Sequence, residues 1–531
     1  MKKINFLLLL TVLMLAGGLR FFKLNNSPRS LNWDETSLGY NAYSLLKTGK
    51  DEYGKVMPVS LRSFDDFKPA GYAYFAVPVI WIGGLSSLTT RLPSATMGLL
   101  LVVCVFVIAS QLTKSTLVGV LAAAVIAFEP WSLHFSRIAF EANLGTVILY
   151  AGLANLFRSS RNPSRYKWGV IMLALSVYAY HAERIIAVPL LLIYTWLSWS
   201  SLREEVRRIW KWLIVCVGIL WLPLFLSLLG DQVTARLTST NIFKLWPFVP
   251  KEFNQWIYLP IYGLLWQLGG HFLAYFSPAN LFVRGTIEPA QYVPFLGLFH
   301  YIELPFWMAG LWTLTKSNEL KKWLVPILIM APLPGVMTWN WFSVVRTLPL
   351  YPAFAVIVSV GAWVIFKHLP RIGKVGLFIP VTIIYLATVV FLANDELLYS
   401  PVVTYGEYQP GFENSVPFLN SISDKYSKVV IDSPHIAGYI FFLFYGKYDP
   451  RLYQSQAAHR EKNSGVETYS FGKYEFRQID WLKDRDSKNV LFMGPTPRLP
   501  DYEFGHSANT RIVRDFYDMF GYIDFRFVET D

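Results

Sequence analysis

Charged residues and cysteines are scarce in this sequence. Only 16% of the 531 residues are Asp, Glu, Lys or Arg, whereas about a quarter are charged in an average soluble protein. The two cysteines, Cys104 and Cys216, lie inside long apolar runs and far from any His or Cys cluster. A soluble globular class, a disulfide framework and a cysteine-based zinc site are therefore not expected.

Apolar residues are abundant, since 53% of the chain is hydrophobic and 17% is aromatic. Segments close to the roughly 17 to 25 residues that cross a bilayer recur along the chain. They predict a polytopic α-helical membrane protein with about 11 transmembrane helices. The first segment follows Lys2 and Lys3 without a clear small-x-small cleavage site, so we expect an uncleaved span. The segments lie near 4–24, 92–111, 116–133, 142–157, 168–181, 184–200, 212–230, 292–314, 323–341, 347–366 and 375–393.

Lys and Arg residues are concentrated in a few short joins between these segments. The positive-inside rule places those joins and the N-terminus in the cytoplasm. This distribution accounts for the net charge of +12, so no nucleic-acid partner is predicted. The segment at 71–85 is short, contains Pro78 and would invert every later loop if it crossed, so an interfacial or re-entrant helix is expected there. The basic joins are 158–167, 203–211, 316–322 and 367–374.

This topology divides the chain into two predicted domains. Residues 1–393 form the membrane domain, with a first outer loop at 25–91 that carries interfacial helices and a second outer loop at about 231–291. In residues 394–531, strand-like stretches such as KVVIDS and NVLFMG alternate with helical and polar ones. This pattern predicts an extracytoplasmic α/β domain at the C-terminus.

Uncommon ionisable residues collect at the outer ends of the predicted spans. Asp34 and Glu35 open a stretch whose apolar residues follow helical spacing up to Gly49, which predicts a helix lying flat on the outer leaflet. Ionisable groups at such depth are costly, so their clustering on one side indicates function. The other members are Asp65, Asp66, Lys68, His134, Arg137, Glu141, His181, Glu183, Arg184 and Arg346.

Each of these residues also has a structural interpretation. Asp34 and Glu35 can cap a helix and complement its positive N-terminus, and Lys68 and Arg184 can extend their charges toward the interface. The arginines can pair with acids inside the bundle, and a single histidine is more often a satisfied polar residue than a ligand. The joint pattern of acids, cations and histidines suits a reaction in which a phosphate leaves and a hydroxyl attacks.

At these residues the sequence resembles the GT-C superfamily of membrane glycosyltransferases, in the branch of the protein O-mannosyltransferases and lipid A aminoarabinose transferases. The acid pair after the first span is matched by WDETSLGYNAYSLL, and the following Lys-Pro segment by FKPAGYAYF. Further matches are RLPSATMGLLLV, FSRIAFEANL, YAYHAERIIAVPLLL and VVRTLPLYPAFA. The resemblance covers most of residues 1–366, with Pro-Ala after Lys68 where many relatives have Pro-Pro.

The resemblance implies an enzyme that moves a sugar from a polyprenyl phosphate to a hydroxyl acceptor on the outer face of the membrane, by inverting single displacement. Asp34 is the expected general base, with Glu35 beside it. Lys68, Arg137, Arg184 and Arg346 are the expected cations for the donor phosphate. Asp66, Glu141 and His181 are further site candidates. Some relatives bind a divalent metal near the acid pair, which leaves Glu35, Glu141 and His181 as open candidates for ligands.

The sequence leaves two other functions as alternatives. A flippase or polysaccharide exporter would distribute its ionisable residues through the midplane and carry internal repeats, whereas no repeat is visible in this sequence. A receptor or scaffold would leave the charges at the outer ends of the spans unexplained. The sugar, the acceptor and the oligomeric state are not encoded in any recognisable motif.

The topology is testable with an impermeant thiol reagent on intact cells that express single-cysteine variants lacking Cys104 and Cys216. We expect cysteines at Ser160 and Ser317 to stay protected, because basic joins face the cytoplasm. Cysteines at Ser37 and Ser487 should react. Labelling of Ser160 together with Ser37 from outside would show that the segment at 71–85 crosses the membrane and that the predicted cluster is split across the bilayer.

Overall fold

The computed structural model describes residues 3–64, 66–228, 258–286, 288, 291, 293–433, 438–456, 459–463, 466–501, 504 and 509–531. The chain divides into two compact units. The first unit comprises residues 1–27, 66–72 and 91–402, and the second comprises 28–65, 73–90 and 403–531. Residue 65 and most of the predicted outer loop before residue 258 lie outside the described residues.

Helices make up most of the first 400 residues. Two short strands, β1 (Ser60–Ser63) and β2 (Asp66–Pro69), interrupt them near the start. The helices are α1 (Lys3–Phe21), α2 (Trp33–Thr48), α3 (Gly71–Gly83), α4 (Ser87–Thr113), α5 (Thr116–Phe128), α6 (Pro130–Arg137), α7 (Glu141–Ser159), α8 (Tyr166–Ser176), α9 (His181–Leu197), α10 (Trp199–Leu228), α11 (Tyr258–Ala274), α12 (Leu304–Lys316), α13 (Asn318–Met330), α14 (Leu333–Val336), α15 (Tyr351–His368) and α16 (Arg371–Asn394).

Several of these helices are long and apolar enough to span a membrane. Five pass by length and composition, and a sixth is obtained if α5 and α6, bent by 59°, count as one broken span. The protein is thus a multi-pass membrane protein, but the predicted count of about 11 spans is not confirmed. Many of the predicted spans are shorter helices in the structure, such as α8 with 11 residues and α13 with 13.

The break between α5 and α6 shows how buried polar groups stabilise bent helices in this unit. Pro130 has no backbone N–H and so starts a new helix at Glu129–Pro130. The carbonyl groups at the end of α5 that lack a helical partner accept hydrogen bonds from side chains. Arg20 donates to the carbonyl of Ala127 at 2.9 Å, and His300 Nε2 lies 2.9 Å from that of Phe128.

A seven-stranded sheet organises the C-terminal part of the second unit. The strand order is β4-β5-β6-β3-β7-β9-β8, and the central strand β3 is parallel to both β6 and β7. Burial of Val430, Phe492 and Val528 gives this sheet its core. The strands are β3 (Lys428–Asp432), β4 (His459–Asn463), β5 (Val466–Phe471), β6 (Tyr474–Arg477), β7 (Val490–Gly494), β8 (Thr510–Tyr517) and β9 (Ile523–Thr530).

Short helices connect and cover the strands. They are α17 (Ser400–Val403), α18 (Tyr405–Tyr408), α19 (Gly411–Ile422), α20 (Gly438–Tyr445), α21 (Pro450–Ser455) and α22 (Trp481–Asp484). The predicted C-terminal domain with mixed helices and strands is therefore present. The predicted boundary at residue 393 stays a prediction, since compactness alone places the change of unit after residue 402.

Helix α2 belongs to the second unit, although its sequence lies in the first predicted outer loop. The helix predicted to end at Gly49 is present, and Gly49 adopts a left-handed conformation with φ of 69°. The apolar face that was expected to lie on the lipid leaflet is buried in protein instead. Gly39 is the point of closest approach, because a Cβ there would come within 2.6 Å of the Phe444 ring on α20.

The burial of α2 changes one element of the topology experiment. Ser37 is only 3% exposed, so a cysteine there would stay unlabelled whichever side of the membrane it occupies. Val56 lies in the same outer segment and is 65% exposed. A cysteine at Val56 therefore replaces Ser37 as the external reporter.

A buried carboxyl group, Glu52, follows α2. Its Oε1 accepts a hydrogen bond from the Tyr439 hydroxyl at 3.2 Å, and Tyr53 bonds to the same hydroxyl at 2.9 Å. Burial raises the pKa of Glu52 to about 8, and the neighbouring Asp51 adds to the rise. The folded protein thus retains a proton on Glu52 in a pH range where the unfolded chain has lost it.

We predict that Glu52 makes the protein less stable as pH rises from about 5 to 8. The raised pKa favours the folded state below that window, and the free energy of unfolding falls by up to about 1.4 kcal/mol per pH unit within it. Glu52→Gln should remove this component, whereas Glu407→Gln, at an exposed position, should retain it. Thermal unfolding of the purified variants at several pH values measures the difference. Equal pH dependence in Glu52→Gln and wild type would contradict the prediction.

Candidate functional site

The acid pair at the start of α2 has two different environments. Asn32 caps the helix and accepts from the Glu35 backbone at 2.9 Å, while Glu35 Oε2 accepts from the Asn32 backbone at 3.2 Å. Glu35 is 0% exposed, so it serves as half of a capping box. Asp34 is only partly buried, and Trp33 beside it is 42% exposed. Asp34 is therefore the member of the pair that a substrate can reach.

Strand β2 carries two further predicted residues, Asp66 and Lys68, within the first unit. Between them, the Phe67 carbonyl lies 2.9 Å from His181 Nε2 at the first turn of α9. The chain is fixed again four residues later, where the Gly71 backbone N–H donates to the Tyr178 carbonyl at 3.0 Å. These backbone contacts bring Asp66 and Lys68 next to the start of α9.

The start of α9 also positions Arg184. Its Nε donates to the Val177 carbonyl at 3.1 Å, and its guanidinium lies 3.3 Å from His181 Nδ1. A guanidinium can only donate, so His181 Nδ1 accepts and its Nε2 carries the proton given to Phe67. His181 therefore links the strand with Lys68 to the helix with Arg184.

Glu141 starts the neighbouring helix, α7, at the same end of the unit. A Cβ at Gly145, one turn further on, would lie 2.7 Å from the Glu183 carboxylate of α9. Only a glycine allows the two helices to approach this closely. Glu141 and His181 therefore lie at the same end of two adjacent helices.

Arg346 lies in the irregular turn Val345–Leu350, which contacts both α7 and α9. The Tyr150 hydroxyl of α7 donates to the Pro349 carbonyl at 2.8 Å and holds the turn against the helix. Arg346 is partly exposed, and its guanidinium donates to the Thr338 hydroxyl at 3.0 Å. The structure thus gathers Asp66, Lys68, Glu141, His181, Arg184 and Arg346 on contacting segments of the first unit.

Arg137, which was predicted to contact the donor phosphate, is buried against backbone carbonyls. It is 0% exposed and donates to the carbonyls of Phe22 at 3.0 Å and Ser27 at 2.8 Å. It also bonds to the carbonyl of Leu19. Its guanidinium therefore satisfies the open backbone groups at the end of α1, and we leave it out of the donor site.

A buried hydrogen-bonded pair beside Arg137, formed by His134 and Glu396, was not predicted from the sequence. His134 Nδ1 lies 2.9 Å from Glu396 Oε1, and the two side chains are 1% and 0% exposed. His134 appeared among the outer-end residues, but its partner lies 262 residues away. The sequence signal for Glu396 was an acid at the end of an apolar segment, which does not identify a partner.

The predicted metal ligands do not fit a metal site in this arrangement. Throughout the part of the chain that the structure describes, no group of three or more His, Cys, Asp and Glu side chains could hold a metal ion. Both ring nitrogens of His181 are engaged, one as acceptor and one as donor. Glu35 is engaged in its capping box. No step of the proposed reaction is therefore assigned to a metal.

This arrangement of helices and C-terminal sheet is similar in fold to crystal structures of ArnT, as the resemblance implied. ArnT from Cupriavidus metallidurans in the apo state has a TM-score of 0.50 and 12% identity, covering 98% of this chain and 97% of ArnT. ArnT bound to undecaprenyl phosphate has a TM-score of 0.52 at 12% identity, covering 100% and 98%. An Archaeoglobus fulgidus oligosaccharyltransferase has a TM-score of 0.49 at 13% identity, covering 84% of this chain and 64% of its own.

No protein-family model matches the chain, and no curated protein matches it by sequence. At such low identity the solved structures establish the fold alone. The predicted GT-C fold is confirmed, and the roles of individual residues stay predictions.

We predict that Arg137→Ala destabilises the folded protein, whereas Arg346→Ala leaves its stability unchanged. Buried carbonyls without donors cost about 1–3 kcal/mol each, so Arg137→Ala should lower the free energy of unfolding by about 3 kcal/mol or more. Thermal unfolding in the same detergent measures both variants. An Arg137→Ala protein with wild-type stability and weakened donor binding would return Arg137 to the phosphate site.

Proposed function

We propose that this protein is a membrane glycosyltransferase that moves a hexosyl or pentosyl group from a polyprenyl-phosphate donor to a hydroxyl acceptor. The observation that carries the proposal is the contact between Phe67 and His181, because it joins the strand bearing Lys68 to the helix bearing Arg184. The shared fold with ArnT, which has been crystallised with undecaprenyl phosphate, supports the choice of a lipid phosphate as donor.

Three cations of the first unit are assigned to the donor phosphate. Lys68, Arg184 and Arg346 lie on segments that the contacts above bring together, and all three are partly exposed. The contacts that hold Arg184 and Arg346 use a carbonyl, an imidazole and a hydroxyl. These contacts fix the direction of each guanidinium, whose positive charge and N–H donors suit an anion.

Asp34 is assigned as the general base. A carboxylate in hydrogen-bond reach of the acceptor can take the hydroxyl proton as the oxygen attacks. Its half-buried position at a helix start leaves it accessible, in contrast to the buried Glu35. Asp66 and Glu141 are kept as supporting residues on the donor side.

The proposed reaction is a single displacement. The acceptor oxygen forms a bond to the anomeric carbon while the bond from that carbon to the phosphate oxygen breaks. The electron pair leaves with the polyprenyl phosphate, whose added negative charge meets the three cations. The acceptor proton moves to Asp34, and the configuration at the anomeric carbon inverts.

The proposed location of this chemistry is the outer face of the membrane, with the N-terminus in the cytoplasm. The charge distribution of the joins supports this orientation. The C-terminal α/β domain and the outer segment with Asp34 then face the same compartment. The acceptor is a protein, lipid or polysaccharide hydroxyl in that compartment.

We predict that Asp34→Asn abolishes sugar transfer while leaving the fold intact. The amide keeps the size of the side chain but can no longer accept a proton. Asp449→Asn is the matched control, because it removes an acid from another exposed helix start in the same unit. Transfer of radiolabelled sugar from polyprenyl phosphate by purified enzymes measures the effect. Wild-type turnover by Asp34→Asn would refute the base assignment.

We predict that Lys68→Ala and Arg346→Ala impair use of the donor more than use of the acceptor. Loss of one contact to the developing phosphate charge should cost about 3–4 kcal/mol, or about 10²- to 10³-fold in rate. Lys55→Ala, at an exposed position of the second unit, is the control. Steady-state kinetics with a short-chain donor distinguish the two substrates. Unchanged donor kinetics in both variants would make these cations structural.

A further inference from the structure

A cavity of about 410 Å³ opens at one edge of the sheet in the second unit. Asp432 and Ser433 line it at the end of β3, and Pro495 lines it just after β7. All of its lining residues among the described parts of the chain belong to the second unit. Its volume falls in the range of pockets that hold small ligands.

The position of the cavity is the place where a parallel sheet is expected to bind a ligand. Strands β3 and β7 are parallel neighbours, so their carboxyl ends meet at one edge. From β3 the chain continues to β4, β5 and β6 on one side of the sheet, and from β7 it continues to β8 and β9 on the other. The two connections leave in opposite directions and create a crevice at this switch point.

The polar groups of the cavity are mainly hydrogen-bond acceptors. One oxygen of Asp432 is fixed by the Ile479 backbone N–H at 2.8 Å, and Asp524 accepts from the Tyr405 hydroxyl at 3.3 Å. Burial raises the pKa of both carboxyl groups. Asp518 also lines the cavity, but one of its oxygens accepts from two backbone N–H groups of its own turn.

The described lining of this cavity contains no basic side chain, neither a lysine nor an arginine. Three arginines outside the lining act through their charge. Arg29 lowers the pKa of Tyr405, and Arg498 and Arg477 lower the pKa of Asp432 against the effect of burial. The carboxylate oxygens that line the cavity accept hydrogen bonds and therefore favour ligands that donate them, such as hydroxyl groups.

Aromatic rings supply the remaining surface of the cavity. Trp33, Phe412 and Phe525 line it together with Tyr405. Flat apolar rings beside carboxylate acceptors match a sugar, which has an apolar face of C–H groups and a rim of hydroxyl donors. Trp33 immediately precedes Asp34 in the same helix, so a ligand against Trp33 lies beside the proposed base.

We propose that this cavity binds a sugar and serves as the acceptor subsite of the enzyme. The assignment as a sugar site stands on the cavity alone, whereas the acceptor role rests on the proposed function. The second unit then holds a polyhydroxylated acceptor through Trp33, Asp432 and Asp524.

The sugar site is tested by saturation-transfer NMR on the full chain in lipid nanodiscs. The probes are methyl α-mannoside, methyl β-glucoside and methyl β-glucosaminide, used one at a time. We expect at least one probe to bind wild type and Asp486→Asn, an exposed acid outside the cavity. Asp524→Asn and Trp33→Ala should bind it about tenfold more weakly, as expected when one hydrogen bond to a charged group or one aromatic contact is lost. Thermal unfolding checks that all variants are folded.

Two results would overturn the sugar site: no probe binds to wild type, or the folded cavity variants bind as wild type does. The acceptor role has a separate readout. In transfer assays Asp524→Asn should raise KM for the acceptor and leave hydrolysis of the donor by water unchanged. Unchanged acceptor KM with normal transfer overturns the acceptor role and leaves the proposed function standing. Sugar binding without donor hydrolysis or transfer in wild type instead removes the proposed function and keeps the sugar site.

Discussion

The buried guanidinium of Arg137 determines how the chain leaves the first helix, and much of the first unit depends on it. It donates to carbonyls between Leu19 and Ser27, the last residue before the chain enters the second unit. Ser27 in turn donates to the Glu396 backbone, and the Glu396 carboxylate bonds to His134. These contacts connect the end of α1, helix α6 and the end of α16. A buried charge satisfied by carbonyls and a nearby acid tolerates little movement of any partner.

The same principle explains how the candidate donor residues are held. Backbone groups fix β2 and Arg184, and a hydroxyl fixes Arg346. Groups whose positions are fixed by backbone and hydroxyl contacts need little rearrangement when an anion binds, which is what electrostatic preorganisation requires. The candidate donor residues of the first unit include three cations together with Asp66 and Glu141. The cavity of the second unit is lined, among its described residues, by carboxylates and aromatic rings without Lys or Arg.

The sequence was sufficient for the features that depend on local patterns. The helix from the acid pair to Gly49, the C-terminal α/β domain and the helical membrane part all followed from periodicity and composition, and they are present. The number of spans did not follow, because prolines such as Pro130 divide apolar runs into short bent helices. The role of Arg137 did not follow either, because its partners are backbone carbonyls more than 100 residues away, and a carbonyl leaves no trace in the sequence.

Adjacent residues on a helix point about 100° apart, and this geometry explains why two acids open α2. Glu35 faces inward and completes the capping box with Asn32, where replacing either partner would leave a buried group unsatisfied. Asp34 faces a less buried surface next to Trp33 and has no part in that box. Glu35 is therefore required for the helix to start at this point. The position of the helix start in turn determines where Asp34 is presented. The structural interpretation of the pair thus applies to Glu35, and the functional interpretation of Asp34 stays a prediction.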